Sequence, residues 1–216
     1  MNQFTRIVAI VLATASLQAY AQNYPVRPVR AIIAFPPGSS TDIIGRVITQ
    51  KVAEYWGQAI VADNRGGAGG SIGSATVARA APDGYTLLIN SNAHSVNPSF
   101  YAKLPYDTSR DFIDIGMLAI QPNVLMVNNN SSIKSTLDLI KQAKAKPNAI
   151  NIAHAGIGSG THLNSVKFKL VAGVEFTDVA YKGSGEVIID VMGGRVDGYF
   201  SPISAGMSFI QSGKVR

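Results

Sequence analysis

Residues 29–46 read VRAIIAFPPGSSTDIIGR, and they contain the two elements that decide the fold. The apolar residues 29–35 predict a buried strand, and an amphipathic pattern predicts a helix over about 41–55. Two prolines, a glycine and the four small polar residues at 39–42 connect them. This loop constrains the backbone more than a simple connection from a strand to a helix requires.

A loop of this composition at a helix N-terminus is suited to binding an anion. The first four N–H groups of a helix lack internal partners, and the helix dipole adds about half a positive charge there. Gly38, Ser39 and Ser40 are small enough to let a ligand carboxylate approach the backbone. The hydroxyls of Ser40 and Thr41 either cap the helix or face the ligand.

The same arrangement occurs a second time in residues 150–162, INIAHAGIGSGTH, where a strand, a small-residue loop and a helix start follow one another. One copy falls in each half of the chain. Two such helix N-termini that face each other on two domains would form a cleft lined with hydrogen-bond donors. We therefore regard the pair of loops as the candidate binding site.

Strand and helix patterns alternate along the chain, which predicts an α/β fold with parallel-type sheets flanked by helices. The predicted helix 41–55 has one apolar face, formed by Ile44, Val47, Ile48, Val52 and Tyr55. Residues 91–112 lack periodicity and predict a boundary or a long functional loop. Beyond them, IGMLAI at 115–120 and NVLMV at 123–127 predict two buried strands.

The second half of the chain contains sequence signals for where two helices begin or end. Ser135 and Asp138 form a capping box that starts a helix, and Pro147 follows the end of that helix. A later helix is expected to end at Gly173, with Leu163, Val166 and Leu170 facing inward.

The first 21 residues resemble a secretory signal peptide. An apolar run at 7–17 is followed by Ala19 and Ala21, which are small residues at the positions read by a signal peptidase. This run is too short for a bilayer-spanning helix, which needs about 20 residues. We expect export to the periplasm and a mature chain that begins near Gln22. The absence of cysteine fits a fold that relies on its apolar core.

Charge and motifs exclude several functional classes. The 19 Lys and Arg residues, against 13 Asp and Glu, are scattered singly, which argues against nucleic-acid binding. GGAGGSIG does not match a dinucleotide-binding fingerprint, and the sequence has no serine-hydrolase elbow or P-loop. His94, His154 and His162 have no metal-ligand spacing. We predict no catalytic residue, no metal and no cofactor.

Eight segments together resemble the tripartite tricarboxylate transporter substrate-binding proteins, also called the Bug family. They are FPPGSSTDIIGR, DNRGGAGGSIG, APDGYTLL, NPSFYAKLPYD, PNVLMV, AGIGSGTH, AYKGSGE and GKVR. The resemblance implies a two-domain periplasmic binding fold of the Venus flytrap kind, with a small carboxylate in the interdomain cleft. It also implies a monomer that delivers its ligand to the integral-membrane subunits of a transporter.

The resemblance also implies which residues face the ligand. They are Phe35, Pro37, Gly38, Ser39, Ser40, Thr41, Asp42, Ser91, Asn92, His94, Ala155, Gly156, Gly158, Ser159, Thr161, His162, Tyr181, Gly183, Ser201 and Pro202. In such proteins backbone amides, hydroxyls and water hold the carboxylate.

The sequence departs from the family in three places. Ser39 stands where the family usually has a second glycine, and a positive φ there would strain the loop. Gly45 replaces a common alanine. Family members also continue beyond the position of Arg216 and return to the first domain, so the resemblance predicts a first domain at 22–122 that lacks its returning segment. The second domain is expected at 123–216.

Two alternatives to a carboxylate-binding protein remain open at this point. One is a truncated remnant of such a protein that does not bind, and the other is an enzyme acting on small carboxylic acids. A hydrolase would need an activated nucleophile, for which the sequence offers no motif. The predicted donors recognise only the charged end of a carboxylate, so the sequence does not identify which carboxylate binds.

Overall fold

A computed structural model describes residues 24–216, so the signal peptide predicted at 1–21 lies outside the described residues. In the first half the elements are β1 (Val29–Ile33), α1 (Ser40–Trp56), β2 (Ile60–Asn64), a 3₁₀ turn (Ala68–Gly70), α2 (Ser71–Ala78), β3 (Thr86–Ile89) and α3 (Ala93–Phe100). In the second half they are β4 (Asn123–Met126), α4 (Thr136–Ala145), β5 (Asn151–His154), α5 (Gly160–Ala172), β6 (Thr177–Ala180), α6 (Ser184–Met192), β7 (Gly198–Pro202) and α7 (Ile203–Gln211).

The strands form two separate sheets. The first sheet has the order β2-β1-β3 and both of its pairings are parallel. The second has the order β4-β7-β5-β6, in which β4 runs antiparallel to β7 and the other pairings are parallel. Helices connect the parallel strands, as such connections require. The predicted α/β class with parallel-type sheets is therefore confirmed.

The two sheets differ in the size of their cores. The first sheet has one small buried cluster of Ala31, Ile33 and Ile89 and a second of Ala34, Phe35 and Ala93, against which Leu88 packs. The second sheet has a buried cluster on each face, one around Val187 and Tyr199 and the other around Ile152, Leu139 and Phe176. Most of the large buried side chains thus belong to the second half of the chain.

Helix α1 begins and ends where its sequence signals predict, but its predicted apolar face is wrong. Ser39 accepts a hydrogen bond from Asp42 N at 3.2 Å, and Gly57 ends the helix at φ 64°. The buried residues of α1 are Asp42, Gly45 and Thr49, while Val47 is 58% exposed. Gly45 explains this rotation, because a Cβ there would lie only 3.2 Å from Ile89 and the helix therefore sits close to the sheet.

Helices α4 and α5 confirm two predictions and show that a third is wrong. The capping box is present, since Ser135 Oγ accepts from Asp138 N at 3.1 Å, and α5 ends at Gly173 with φ 61°. The inward face of α5, however, consists of the buried Thr161 and Ser165, whereas Leu170 is 78% exposed. These small polar residues have partners on the neighbouring strands, so burial there does not require an apolar side chain.

The segment 115–120 does not form the predicted buried strand. It has no regular structure, and Ile115 and Ile120 are 83% and 82% exposed. An extended apolar run becomes a strand only when a neighbour pairs its backbone groups, and within residues 24–216 no strand lies beside it. Within 91–112, by contrast, residues 93–100 form helix α3 despite Pro98.

Near Arg216 the chain pairs with the second sheet. Val215 forms an antiparallel bridge with Asn128, and Val127 exchanges two backbone hydrogen bonds with Arg216 at 2.8 and 2.9 Å. Val215 is 3% exposed. Among the helices of residues 24–216, none is long and apolar enough to cross a membrane.

Candidate functional site

A cavity of about 600 Å³ lies between the two sheets. Its walls come from the residues that follow the strands β1, β3 and β5, from the starts of α1 and α5, and from residues 116–121. The lining residues are Phe35, Ser39, Ser40, Thr41, Ile44, Leu88, Ile89, Asn90, Ser91, Asn92, Gly116, Met117, Leu118, Ala119, Ile120, Gln121, Asn123, Ala155, Ser159, Gly160, Thr161, Asn164, Ser184 and Pro202. The crevice beyond the carboxyl ends of parallel strands is the usual ligand position in α/β proteins.

The first wall is the N-terminus of α1. Ser39 is its N-cap with φ −69°, so the positive φ that would strain a serine here does not occur. Gly38 takes the left-handed conformation instead, with φ 76°. Ser39, and neither Ser40 nor Thr41, caps the helix. The hydroxyls of Ser40 and Thr41 have no protein partner among the described residues, and both residues line the cavity.

Asp42 has a structural position behind this wall. Its carboxylate is buried and accepts hydrogen bonds from Gly38 N at 2.9 Å, Arg46 Nε at 2.8 Å and Asn64 Nδ2 at 2.8 Å. The side chain therefore holds the loop closed and does not line the cavity.

The second wall is the N-terminus of α5, which repeats the geometry of α1. Ser159 is buried, has φ −62° and accepts a hydrogen bond from His162 N at 3.3 Å. Gly158 precedes it with φ 78°, as Gly38 precedes Ser39. Thr161 Oγ1 accepts from Ala155 N at 2.9 Å and thus ties the end of β5 to the first turn of α5. The strand–loop–helix arrangement that occurs twice in the sequence therefore forms two matching helix N-termini at one cavity.

Two more helices begin at this cavity. Helix α6 begins at Ser184 without a side-chain cap, and Ser184 Oγ is hydrogen-bonded to Tyr199 Oη at 2.7 Å. Burial raises the pKa of Tyr199 to about 12, so this hydroxyl remains protonated. Helix α7 begins after Pro202, where Gln121 Oε1 accepts from Ser204 Oγ at 2.6 Å. Uncapped N–H groups of α6 are available to a ligand.

The cavity surface is uncharged and combines polar with apolar groups. None of its lining residues in the described part of the chain is Asp, Glu, Lys, Arg or His. Donors come from hydroxyls, from backbone N–H groups and from the amides of Asn90, Asn92, Gln121, Asn123 and Asn164. The apolar part comes from Ile44, Leu88, Ile89, Met117, Leu118 and Ile120. Such a surface can bind an anionic group through neutral donors and an aliphatic chain beside it.

Glycines let the two halves approach closely around the cavity. A Cβ on Gly160 would lie 3.0 Å from Asn92 Oδ1, and one on Gly183 would lie 3.0 Å from Pro36 Cγ. Tyr101 Oη donates a long hydrogen bond of 3.5 Å to Ile157 O, and the rings of Phe100 and His162 are 5.5 Å apart. Each contact joins a residue of the first half to one of the second.

The structure places half of the sequence-predicted ligand residues on the cavity wall. These are Phe35, Ser39, Ser40, Thr41, Ser91, Asn92, Ala155, Ser159, Thr161 and Pro202. The others do not line it, although most belong to the same loops. They are Pro37, Gly38, Asp42, His94, Gly156, Gly158, His162, Tyr181, Gly183 and Ser201.

The predicted site residues with ionisable side chains lie behind the wall. Burial lowers the pKa of His94 and of His162, which favours the neutral ring in both. His162 Nδ1 accepts from Gly158 N at 3.2 Å, so His162 supports the loop before α5. Tyr181 Oη donates to Asp190 at 2.5 Å, and burial together with this carboxylate raises the pKa of Tyr181 to about 12.

Sequence reasoning missed several lining residues, above all the amides. Asn90 directly follows β3, and residues at that end of a parallel strand are positioned for ligand contact, so the strand prediction contained the signal. Asn164 lies in the second turn of α5, Gln121 lies two residues before β4, and Asn123 is the first residue of β4. No local motif marks these positions. Within residues 24–216 no cluster of three or more metal-ligating side chains occurs.

Comparison with known proteins identifies the family. Residues 44–216 match the tripartite tricarboxylate transporter family receptor. The protein BugT of Bordetella pertussis is 36% identical over 220 residues, which cover all of this chain and 68% of BugT. A Pseudomonas sp. (strain P51) protein from the tcbD-tcbE intergenic region is 38% identical, with 97% of this chain and 62% of that protein covered.

Solved structures agree with this match. R. palustris Rpa4515 with adipate is 34% identical with a TM-score of 0.86, and the periplasmic binding protein BugD is 32% identical with a TM-score of 0.80. MatC from Rhodopseudomonas palustris with bound malate is 30% identical with a TM-score of 0.80. Each alignment covers 89% of this chain and 64% to 66% of the solved chain.

The chain thus spans about two thirds of the length of these relatives, and it matches them in sequence and in fold. The chain belongs to the tripartite tricarboxylate transporter receptors, the family that includes the Bug proteins.

Proposed function

We propose that this protein is a periplasmic solute-binding protein that captures a small carboxylate in the cavity between its two sheets. It then delivers the ligand, as a monomer, to the integral-membrane subunits of a tripartite tricarboxylate-type transporter. One observation carries the proposal: the N-termini of α1 and α5, both capped by a buried serine, meet at one uncharged cavity. Relatives with adipate and malate bound support the ligand class.

The polar and the apolar residues of the cavity bind different parts of the ligand in this proposal. Free hydroxyls of Ser40 and Thr41, together with N–H groups at the helix starts, hold the carboxylate. The apolar residues of β3 and of 116–121 pack against the remaining, uncharged part of the ligand. The proposed lobes are 22–122 and 123–216, one around each sheet, and the ligand lies between them without being chemically changed.

The expected affinity follows from the donors. If a carboxylate receives three or four charge-assisted hydrogen bonds of about 1.5 to 3 kcal/mol each, the gross gain is about 5 to 12 kcal/mol. Lost translational freedom and desolvation take back several kcal/mol, and apolar burial adds to the gain. A micromolar Kd, equivalent to about −8 kcal/mol, is the result.

A thermal-shift screen of small mono- and dicarboxylates, including adipate and malate, tests the proposal. A ligand present at about 100 times its Kd stabilises the protein by about 2.7 kcal/mol, which gives a clear rise in Tm. Mass spectrometry of the incubated acid should show no product. The absence of a shift with every acid, or turnover of any of them, would contradict the proposed function.

A further inference from the structure

His94 lies one layer behind the cavity wall, in an aromatic slot. Its ring stacks on Tyr106 with centroids 5.8 Å apart, and the edge of Phe112 meets it at 4.7 Å. Its Nδ1 atom lies 3.2 Å from the hydroxyl of Ser74 on α2. The ring is therefore fixed in place, and among residues 24–216 its one polar side-chain contact is with Ser74, which does not line the cavity.

The other hydrogen bonds of Ser74 indicate whether Ser74 Oγ or His94 Nδ1 donates in the contact between them. Ser74 is fully buried, and its Oγ has three neighbours: Gly70 O at 3.1 Å, Asn90 Nδ2 at 2.9 Å and His94 Nδ1 at 3.2 Å. All three contacts are hydrogen bonds at once only when the single hydroxyl hydrogen goes to Gly70 O, because a carbonyl oxygen only accepts. The other two neighbours must then donate to Ser74 Oγ. This arrangement assigns the proton of the neutral His94 ring to Nδ1.

The orientation of the Asn90 amide is equally defined. Its Oδ1 accepts from Ser91 N at 2.8 Å, and a backbone N–H can only donate, so the amide nitrogen must face Ser74. Gly70 packs directly against the Asn90 amide, because a Cβ on Gly70 would lie 2.7 Å from Asn90 Oδ1. Asn90 lines the cavity, and its second amide hydrogen has no acceptor among residues 24–216.

We propose that His94 is a positioning residue: its Nδ1–H donates to Ser74, which holds the Asn90 carboxamide so that its free N–H binds the ligand carboxylate. This inference rests on the proposed function. Burial lowers the pKa of His94, opposed by nearby Asp114, and Tyr106 is the other titratable group packed against the ring. At neutral pH the donor is thus the neutral Nδ1–H tautomer.

Nitrogen-15 NMR of the unmodified, ligand-free chain tests the hydrogen bonds directly. We expect a protonated Nδ1 and an unprotonated Nε2 for His94 at pH 7.5. We also expect the side-chain amide resonances of Asn90 to shift in His94→Phe, which keeps an aromatic ring in the slot but removes the donor. A proton on Nε2 instead of Nδ1 would overturn the inference.

Calorimetry with adipate and malate tests the consequence for binding. His94→Phe and Ser74→Ala should each weaken binding about three- to tenfold, the effect of one hydrogen bond. His94→Asn should recover most of the loss, because its amide nitrogen can occupy the Nδ1 position. Ser95→Ala, an exposed serine on the same helix, is the control and should bind like the unmodified chain.

The outcomes separate the two proposals. Unchanged affinity in folded His94→Phe would overturn the role of His94 while leaving carboxylate binding intact. If the unmodified chain binds neither acid, the proposed function fails for these ligands, and the His94 tautomer and the Asn90 resonances still decide whether the hydrogen-bond chain exists. If His94→Phe does not fold, the tautomer in the unmodified protein decides.

Discussion

Two buried serines, Ser39 and Ser159, hold the helix starts that meet at the cavity. Each accepts a hydrogen bond from the N–H group three residues ahead, at 3.2 and 3.3 Å. Replacing either by alanine should lower the free energy of unfolding by about 1 kcal/mol, the usual value of an N-cap. Carboxylate affinity should fall as well, because the first turn would no longer hold its donors in place. Urea titration and calorimetry measure the two effects.

Ser135 provides a matched control for these variants. It caps α4 in the same way, at 3.1 Å, but does not line the cavity. Ser135→Ala should lose a similar amount of stability and keep its affinity. If Ser39→Ala and Ser159→Ala also keep full affinity, the helix starts are not the carboxylate site.

Two neighbouring histidines, the buried His154 and the half-buried His162, should make stability depend on pH. The rings of His154 and His162 are 4.5 Å apart, and His154 Nδ1 has no partner among the described residues. Burial is the main cause that lowers both pKa values, and the charge of His162 lowers the pKa of His154 further. Lys169 acts in the same direction on both rings, whereas Asp178 raises both pKa values and a backbone hydrogen bond at Gly156 raises that of His154. The folded protein therefore favours the neutral rings.

The sign of the effect follows from proton linkage. Because the folded pKa values lie below the unfolded value of about 6.5, the unfolded chain binds more protons in this range. The stabilisation is fully present above about pH 6.5 and is lost as the pH falls through the folded values. We expect Tm to decrease from pH 7.5 to 5 and His154→Leu to reduce this slope. An equal slope in that variant would show that His154 does not contribute.

Helix α2 depends on a glycine for its contact with the first sheet. A Cβ on Gly73 would lie 2.8 Å from the Cα of Ala34 and 2.9 Å from Arg65 O, both backbone atoms that have little room to move. Gly73→Ala should therefore destabilise the protein by about 1 to 3 kcal/mol despite the better helix propensity of alanine. Urea titration measures the change.

Gly185, in a helix of the second half of the chain, is the control position for Gly73. It lies in the first turns of α6, and a Cβ there would meet no atom within 4 Å. Gly185→Ala should be neutral or should stabilise the protein by up to about 1 kcal/mol. Equal effects of the two substitutions would mean that propensity, and not close packing, governs Gly73.

Elements with local signals could be predicted from the sequence, and elements that depend on partners could not. The capping serine at Ser135 and the terminating glycines fix helix ends through contacts a few residues apart. The face that a helix buries depends on what it packs against. Gly45 on α1 and Thr161 on α5 are buried because they approach a strand closely, which an apolar pattern cannot reveal.

The same distinction applies to the site. Small-residue loops at two helix starts are visible in the sequence, and the structure brings both to one cavity. The amides of Asn90, Asn164 and Gln121 come from separate elements, so only the fold brings them together. The family resemblance implied that Asp42 and His94 face the ligand, and in the structure their side chains hydrogen-bond to protein groups.

The two sheets should differ in local stability. The first sheet has two small buried clusters, one around Ala31 and Ile33 and one around Ala34 against which Leu88 packs, whereas the second sheet has a larger buried cluster on each face. Since opening a region with few buried apolar contacts costs less free energy, amides of Ile33 and Leu88 should exchange faster than those of Ile152 and Val179. Hydrogen exchange measured by NMR decides this. Equally slow exchange at all four amides would contradict the prediction.

The central claim is that neutral donors at helix starts recognise the charge of a carboxylate. Calorimetry of the best-binding dicarboxylate against its diamide, for example adipate against adipamide, tests it most directly. Charge-assisted hydrogen bonds are about 1 kcal/mol stronger than neutral ones, so losing the charge across three or four bonds should weaken binding at least about 100-fold. We predict micromolar binding of the acid and very weak binding of the diamide. Equal affinity for the acid and the diamide would contradict the account.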